Sequence, residues 1–192
     1  MTPALVLVDL QQDFLDRPGL VPAAEPLTAA VAGLLAACRD RGVPVAHVHT
    51  RVSPDGHDRM PHWASSGTWA CVAGTPGILP PASLAPLPGE AVVYKRFFSG
   101  FGNPDLATWL ERHGIDTLVV AGIYLHGCVR STVLDAYERG YAVWIADDAT
   151  GSNEPAHAAY TRAWLGTRAA TFLPSADILA RLGQAPRHPA TP

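Results

Sequence analysis

Apolar positions along this chain fall into two alternating patterns. Residues 4–8, 43–48, 91–94, 117–121, 141–146 and 169–173 form short apolar runs. Runs of that length suit strands buried on both faces of a parallel sheet. The stretches between them carry apolar residues at helical spacing and are punctuated at their ends. Residues 25–41 read as a helix with Pro26 in its first turn and Gly42 at its close. In residues 103–113, Asn103-Pro104-Asp105 supplies a side-chain cap, a fixed φ and a negative charge in the first turn. Gly114 ends that helix, and further helices are predicted over 129–139, 153–165 and 175–182. Repeated β-α units imply an α/β fold, a parallel sheet with helices on both faces.

Residues 52–90 break this rhythm. They hold many prolines and glycines, several histidines, and Trp63 and Trp69. A long loop inside a compact domain is usually functional or poorly ordered. The two tryptophans argue against disorder, so the segment is expected to wall a site or fill a subunit contact. The domain is expected to span residues 1–185, with a flexible tail over 186–192.

Composition narrows the function classes. The 192 residues suffice for one full core, and the net charge is 14 − 17 = −3 with no basic cluster. No nucleic acid is expected as a partner. No apolar run is long enough to span a bilayer, and the N-terminus lacks a signal pattern, so no membrane association is expected. The three cysteines, Cys38, Cys71 and Cys128, are odd in number and far apart. That argues for a reducing, cytoplasmic setting rather than a disulfide framework.

Three residues carry candidate chemistry. Asp9, Lys95 and Cys128 each follow a predicted strand at the carboxyl edge of the sheet, where open α/β folds bind ligands. Cys128 also lies near a predicted helix N-terminus, which favours thiolate over thiol. Taken singly, Asp9 suits a cap, Lys95 a solvated charge and Cys128 a packing residue. An acid, a cation and a thiol at equivalent strand ends are harder to explain by packing. Together they suit nucleophilic catalysis, with the acid moving a proton.

The motifs around these residues resemble the isochorismatase-like cysteine hydrolase superfamily. Val8-Asp9-Leu10-Gln11-Gln12-Asp13-Phe14 resembles its opening motif, and Cys71-Val72-Ala73-Gly74-Thr75-Pro76-Gly77 its mid-chain loop. Tyr94-Lys95-Arg96-Phe97-Phe98-Ser99-Gly100-Phe101 resembles its lysine motif, and Gly127-Cys128-Val129-Arg130-Ser131-Thr132 its nucleophile motif. The resemblance implies a three-layer α/β/α sandwich, Rossmann-like, whose six-stranded parallel sheet has the order 3-2-1-4-5-6. It implies Asp9, Lys95 and Cys128 as a triad, a cis peptide at Ile123–Tyr124, and an oxyanion hole from the N–H groups of Tyr124 and Cys128. It also implies a homo-oligomer.

The function expected is hydrolysis of a C–N bond in a small amide, carbamoyl or lactam through a thioester, with no cofactor. Tyr124-Leu125-His126 also resembles the Tyr-x-His of vinyl-ether-cleaving isochorismatases. A catalytically silent oligomeric scaffold is the alternative of a different class. Phe14, Trp63, Trp69, Phe97, Phe101 and Tyr124 are candidate pocket walls, and His126 a candidate substrate contact. Asp55-Gly56-His57 and His62 superficially suit a metal but lie several residues beyond the strand end, so none is expected.

Overall fold

The computed structural model describes residues 1–184. Ala185 and the tail expected over 186–192 lie outside the described residues. Six strands form in chain order: β1 Pro3–Val8, β2 Val45–Thr50, β3 Ala91–Lys95, β4 Thr117–Ile123, β5 Ala142–Gly151 and β6 Thr171–Leu173. They build one parallel sheet in the order β3-β2-β1-β4-β5-β6, as the motif resemblance implies. The helices are α1 Gln12–Leu15, α2 Ala24–Asp40, α3 Pro61–Ser66, α4 Pro104–Arg112, α5 Arg130–Glu138, α6 Pro155–Gly166 and α7 Ser175–Gln184.

The period-2 pleat splits β1 between two cores. Leu5 and Leu7 pack with Leu27, Leu34 and Leu35 of α2 and Ile178 of α7. Ala4, Val6 and Val8 pack with Leu106 of α4, Val133 of α5 and Leu165 of α6. This gives the three layers, and each fully buried leucine contributes roughly 1.5–3 kcal/mol. Asn103 caps α4 by accepting the Asp105 N–H at 2.9 Å, with Pro104 opening the helix.

Several elements depart from the sequence expectation: α1 is an added short helix, and β2 runs Val45–Thr50 rather than over 43–48. β5 runs to Gly151 rather than stopping at Ala146. Asp147 and Asp148 lie past the expected strand end, yet they sit in the strand and are exposed. Asp147 pairs with Arg162, and Asp148 accepts from the Ser175 N–H and hydroxyl. The segment 52–90 is ordered, in line with its tryptophans, but holds unexpected elements: α3, short 3₁₀ turns at Pro76–Ile78 and Ala82–Leu84, and a bridge between Val52 and Val72. Met60, Trp63, Ile78 and Leu84 bury themselves and fix it to the core. The helix that follows β4 begins with a π-turn, Leu125–Val129, ahead of α5.

Strand ends then converge. Val8 aligns with Val48 and Gly122, and Thr50 aligns with Lys95. The connections leave β1 toward β2 and β3 on one side and toward β4 on the other, the switch point where such sheets open a crevice. Gly122 makes this possible. Its φ is 130°, and a Cβ there would meet the Val8 carbonyl oxygen at 2.1 Å. Among the described residues, no helix is long and apolar enough to cross a membrane.

Candidate active site

Asp9, Lys95 and Cys128 meet at the carboxyl edge of β1, β3 and β4. Lys95 Nζ lies 2.7 Å from Asp9 Oδ2 and 3.3 Å from Cys128 Sγ. All three side chains are buried. Lys95 also donates to Thr50 Oγ1 at 2.8 Å and to the Phe97 carbonyl at 3.0 Å. Asp9 Oδ1 accepts from the Thr50 N–H at 2.8 Å and from its hydroxyl at 2.9 Å. Oδ2 faces the ammonium but has no hydrogen-bond partner among the described residues. Asp9 and Cys128 thus share one cation, and the Asp9 charge acts on the thiol.

The backbone at Asp9 is held in the left-handed region, φ 52°, uncommon for a residue other than glycine. Its surroundings over-determine it. The Asp9 N–H donates to the Val48 carbonyl at 2.8 Å. Gln11 clamps the next turn, donating to the Thr50 and Ile78 carbonyls and accepting the Thr50 N–H.

Electrostatics correct one expectation. Burial pushes the Cys128 thiol up, Asp9 pushes it further, and Lys95 opposes both without reversing the direction. Burial thus favours the thiol over the thiolate expected from a helix N-terminus. The reason is twofold: the sulfur is buried inside the π-turn, and Lys95 already compensates Asp9. Burial alone would lower Lys95, but Asp9 and Cys128 outweigh it and raise the ammonium's pKa, so Lys95 stays charged.

The aromatic candidates separate into groups. Phe14 and Trp63 are buried with ring centroids 6.1 Å apart, and Tyr124 meets Phe14 edge-on at 5.8 Å. The Tyr124 hydroxyl donates to the Phe14 carbonyl, and its ring stacks on His126 at 5.7 Å. His126 Nδ1 pairs with the Ser152 hydroxyl at 2.6 Å. The Ile123–Tyr124 peptide is cis.

The other three rings lie apart from this corner. Phe101 packs on Tyr141 and the Arg139 guanidinium, beyond the C-terminal end of α5. Trp69 is half exposed beneath Arg59, and Phe97 is half exposed beneath Arg96 and brings its carbonyl, not its ring, to Lys95. A cavity of about 470 Å3 opens on the β3 side of this edge, lined by Arg51, Thr75, Ile78, Leu79 and Tyr94 among others. None of the three reacting candidates lines it, so it is not the reaction crevice.

The histidines disperse as well. His57 pairs with Asp55 in solvent, His62 stacks on Phe98, and His47 pairs with Glu90. Among the described residues, no three His, Cys, Asp or Glu side chains converge as a metal requires. Thr50 and Gln11 were not singled out from sequence. Thr50 ends β2 at the same edge as Asp9, and Gln11 sits in the opening motif; those were the available signals.

This geometry defines an open α/β protein with an acid, a cation and a thiol at its switch point. The chain belongs to the isochorismatase family: the isochorismatase domain model matches residues 3–175. It is 34% identical over 163 residues to a maleamate amidohydrolase of Pseudomonas putida, covering 78% of this chain and 72% of that one. It is 35% identical over 158 residues to a nicotinamidase/pyrazinamidase of Mycobacterium tuberculosis, covering 77% and 85%. An isochorismatase family protein from Desulfovibrio vulgaris superposes with a TM-score of 0.84 at 34% identity, covering 95% of this chain and 99% of that one.

Proposed function

We propose that this protein hydrolyses the C–N bond of a small amide through a thioester on Cys128. The observation that carries the reading is the Asp9–Lys95–Cys128 contact set, 2.7 and 3.3 Å around one ammonium. The names of the two curated relatives support amide hydrolysis. As the sulfur attacks the carbonyl carbon, its proton passes to Asp9. Lys95 then faces two anions in turn, the thiolate and the carboxylate. The carbonyl oxygen gains charge in the tetrahedral species, and the N–H groups of Tyr124 and Cys128 are assigned to hold it. Collapse breaks the C–N bond, and Asp9 returns the proton to the departing nitrogen. Asp9 next takes a proton from water, hydroxide adds to the thioester, and the acid leaves as Cys128 regains its proton.

Phe14, Trp63 and Tyr124 form the apolar wall on this reading, and His126 meets the substrate from the Tyr124 side. Phe97 and Trp69 face solvent and belong instead to a contact with a second copy of the chain. Val92 and Tyr94 on the edge strand β3 are also exposed and extend that contact. Light scattering behind gel filtration tests the assembly: a monomer at micromolar concentration rejects it. The three free cysteines suit a reducing compartment.

A hydrolysis screen tests the function, with ammonia release read for primary amides and ureas, release of a new amine read for lactams, and Cys128→Ala as control. Release from at least one class that Cys128→Ala abolishes supports the reading. Release that survives Cys128→Ala overturns it. Cleavage of a vinyl ether that survives the same substitution points instead to the chemistry that Tyr124-Leu125-His126 resembles.

A further inference from the structure

Ser152 follows β5 and is buried, with its main chain locked by two hydrogen bonds. Its N–H donates to the Val21 carbonyl at 2.9 Å, and its carbonyl accepts the Val21 N–H at 2.8 Å. Its hydroxyl pairs with His126 Nδ1 at 2.6 Å. His126 sits inside the π-turn, two residues after Tyr124 and two before Cys128, and its ring stacks on Tyr124 at 5.7 Å.

That turn has little of its own to hold it. Its residues include Gly127, and no side chain caps it at Tyr124. The Tyr124 carbonyl accepts both the Gly127 N–H at 2.9 Å and the Val129 N–H at 3.2 Å, one acceptor shared by two donors. At the back of the turn, Lys95 meets the Cys128 sulfur and Thr132 of α5 donates to the Cys128 carbonyl. Among the described residues, the His126–Ser152 bond is the side-chain hydrogen bond that ties the front of the turn to the end of β5.

The same bond fixes where the imidazole proton sits. Ser152 Oγ accepts the Glu154 N–H at 3.1 Å and has its own proton to give. His126 Nδ1 takes it at 2.6 Å; the reverse arrangement would leave that proton with the Glu154 carbonyl at 3.5 Å. Burial pulls the His126 pKa below its ordinary value, which keeps the ring neutral near pH 7. A neutral ring that accepts at Nδ1 carries its proton on Nε2. Nε2 lies 3.5 Å from Glu154 Oε1, while His157 takes the other carboxylate oxygen at 2.6 Å.

We propose that Ser152 is a positioning residue for the nucleophile: it fixes His126 as the Nε2–H tautomer and, through that ring, anchors the π-turn that carries Cys128. The substrate then meets His126 as a neutral N–H donor, and the long contact to Glu154 gives way to an acceptor on the substrate. This deepens the amide-hydrolase reading and rests on Cys128 being its nucleophile.

Two measurements on the full-length protein test this without a substrate. Long-range proton–nitrogen NMR of isotope-labelled histidines reads the tautomer, with His126 assigned by the loss of its signals in His126→Gln. A proton on Nε2 is expected, and a proton on Nδ1 overturns the proposal. Iodoacetamide labelling at pH 7, read by peptide mass spectrometry, reports on the turn. Ser152→Ala should label Cys128 at least ~10-fold faster than the wild-type protein, because a loosened turn uncovers the thiol. Cys38, buried on α2, is the reference within each sample and should keep its rate. Ser152→Thr retains the hydroxyl and should return Cys128 to the wild-type rate. An unchanged or slower Cys128 rate in Ser152→Ala overturns the proposal, and so does equal acceleration at Cys38, which marks general unfolding. A Ser152→Thr protein that labels as fast as Ser152→Ala overturns it too. The parent reading fails separately, when hydrolysis survives Cys128→Ala.

Discussion

Lys95 has three protons and four acceptors around it: Asp9, Thr50, the Phe97 carbonyl and Cys128. The sulfur is the most distant of the four. The resting ammonium therefore serves the carboxylate, and the thiol keeps its proton until a carbonyl arrives. Iodoacetamide should label Cys128 more slowly at pH 7 than an ordinary exposed thiol, with the rate climbing past pH 9. Fast labelling at pH 7 would show a preformed thiolate. Thr50 links the two ions by donating to Asp9 and accepting from Lys95. Thr50→Val should lower kcat/KM by about 10–100-fold and shift the pH–rate profile, while Thr50→Ser restores both. An unchanged profile would reduce Thr50 to packing. The positions of Asp9, Lys95 and Cys128 were legible because strand ends in a parallel sheet share one edge. Thr50 was not, since a lone threonine takes its meaning from neighbours distant in sequence.

Strand β4 holds the site open by approaching β1 without a side chain at Gly122. With φ at 130° and a Cβ only 2.1 Å from the Val8 oxygen, Gly122→Ala must push the strands apart. The expected loss is at least about 3 kcal/mol, read by urea unfolding. A loss below about 1 kcal/mol would mean that the seam tolerates the shift. At this scale the sequence reading was good wherever apolar periodicity ran unbroken, as in β1 and β4. It failed at β5, where Asp147 and Asp148 interrupt the apolar run but find partners on α6 and α7. It failed again at α3, a helix of one and a half turns held by the burial of Trp63 rather than by a periodic face.

The whole molecule carries buried histidines on β2 whose protonation opposes folding. Burial brings His49 down to about 4 from its ordinary 6.5, with His47 beside it adding to the effect. The unfolded chain therefore binds a proton before the folded one does, and stability falls as pH drops from 6.5 to about 4. The shift corresponds to roughly 3 kcal/mol, and His49→Gln should flatten that slope in unfolding measured across the window. An unchanged slope would assign the acid lability to other groups. The α/β class followed from the repeating pattern alone, whereas the strand order came from the motif resemblance. Periodicity fixes which faces are buried, not which strands adjoin.

The central claim is that Cys128 carries the acyl group during turnover. Rapid-quench mass spectrometry during hydrolysis of an amide found by the screen reads this directly. The account predicts a transient mass gain equal to the acyl fragment on the peptide holding Cys128, absent in Cys128→Ala. Turnover with no such adduct, at a rate that Cys128→Ala leaves intact, would contradict it.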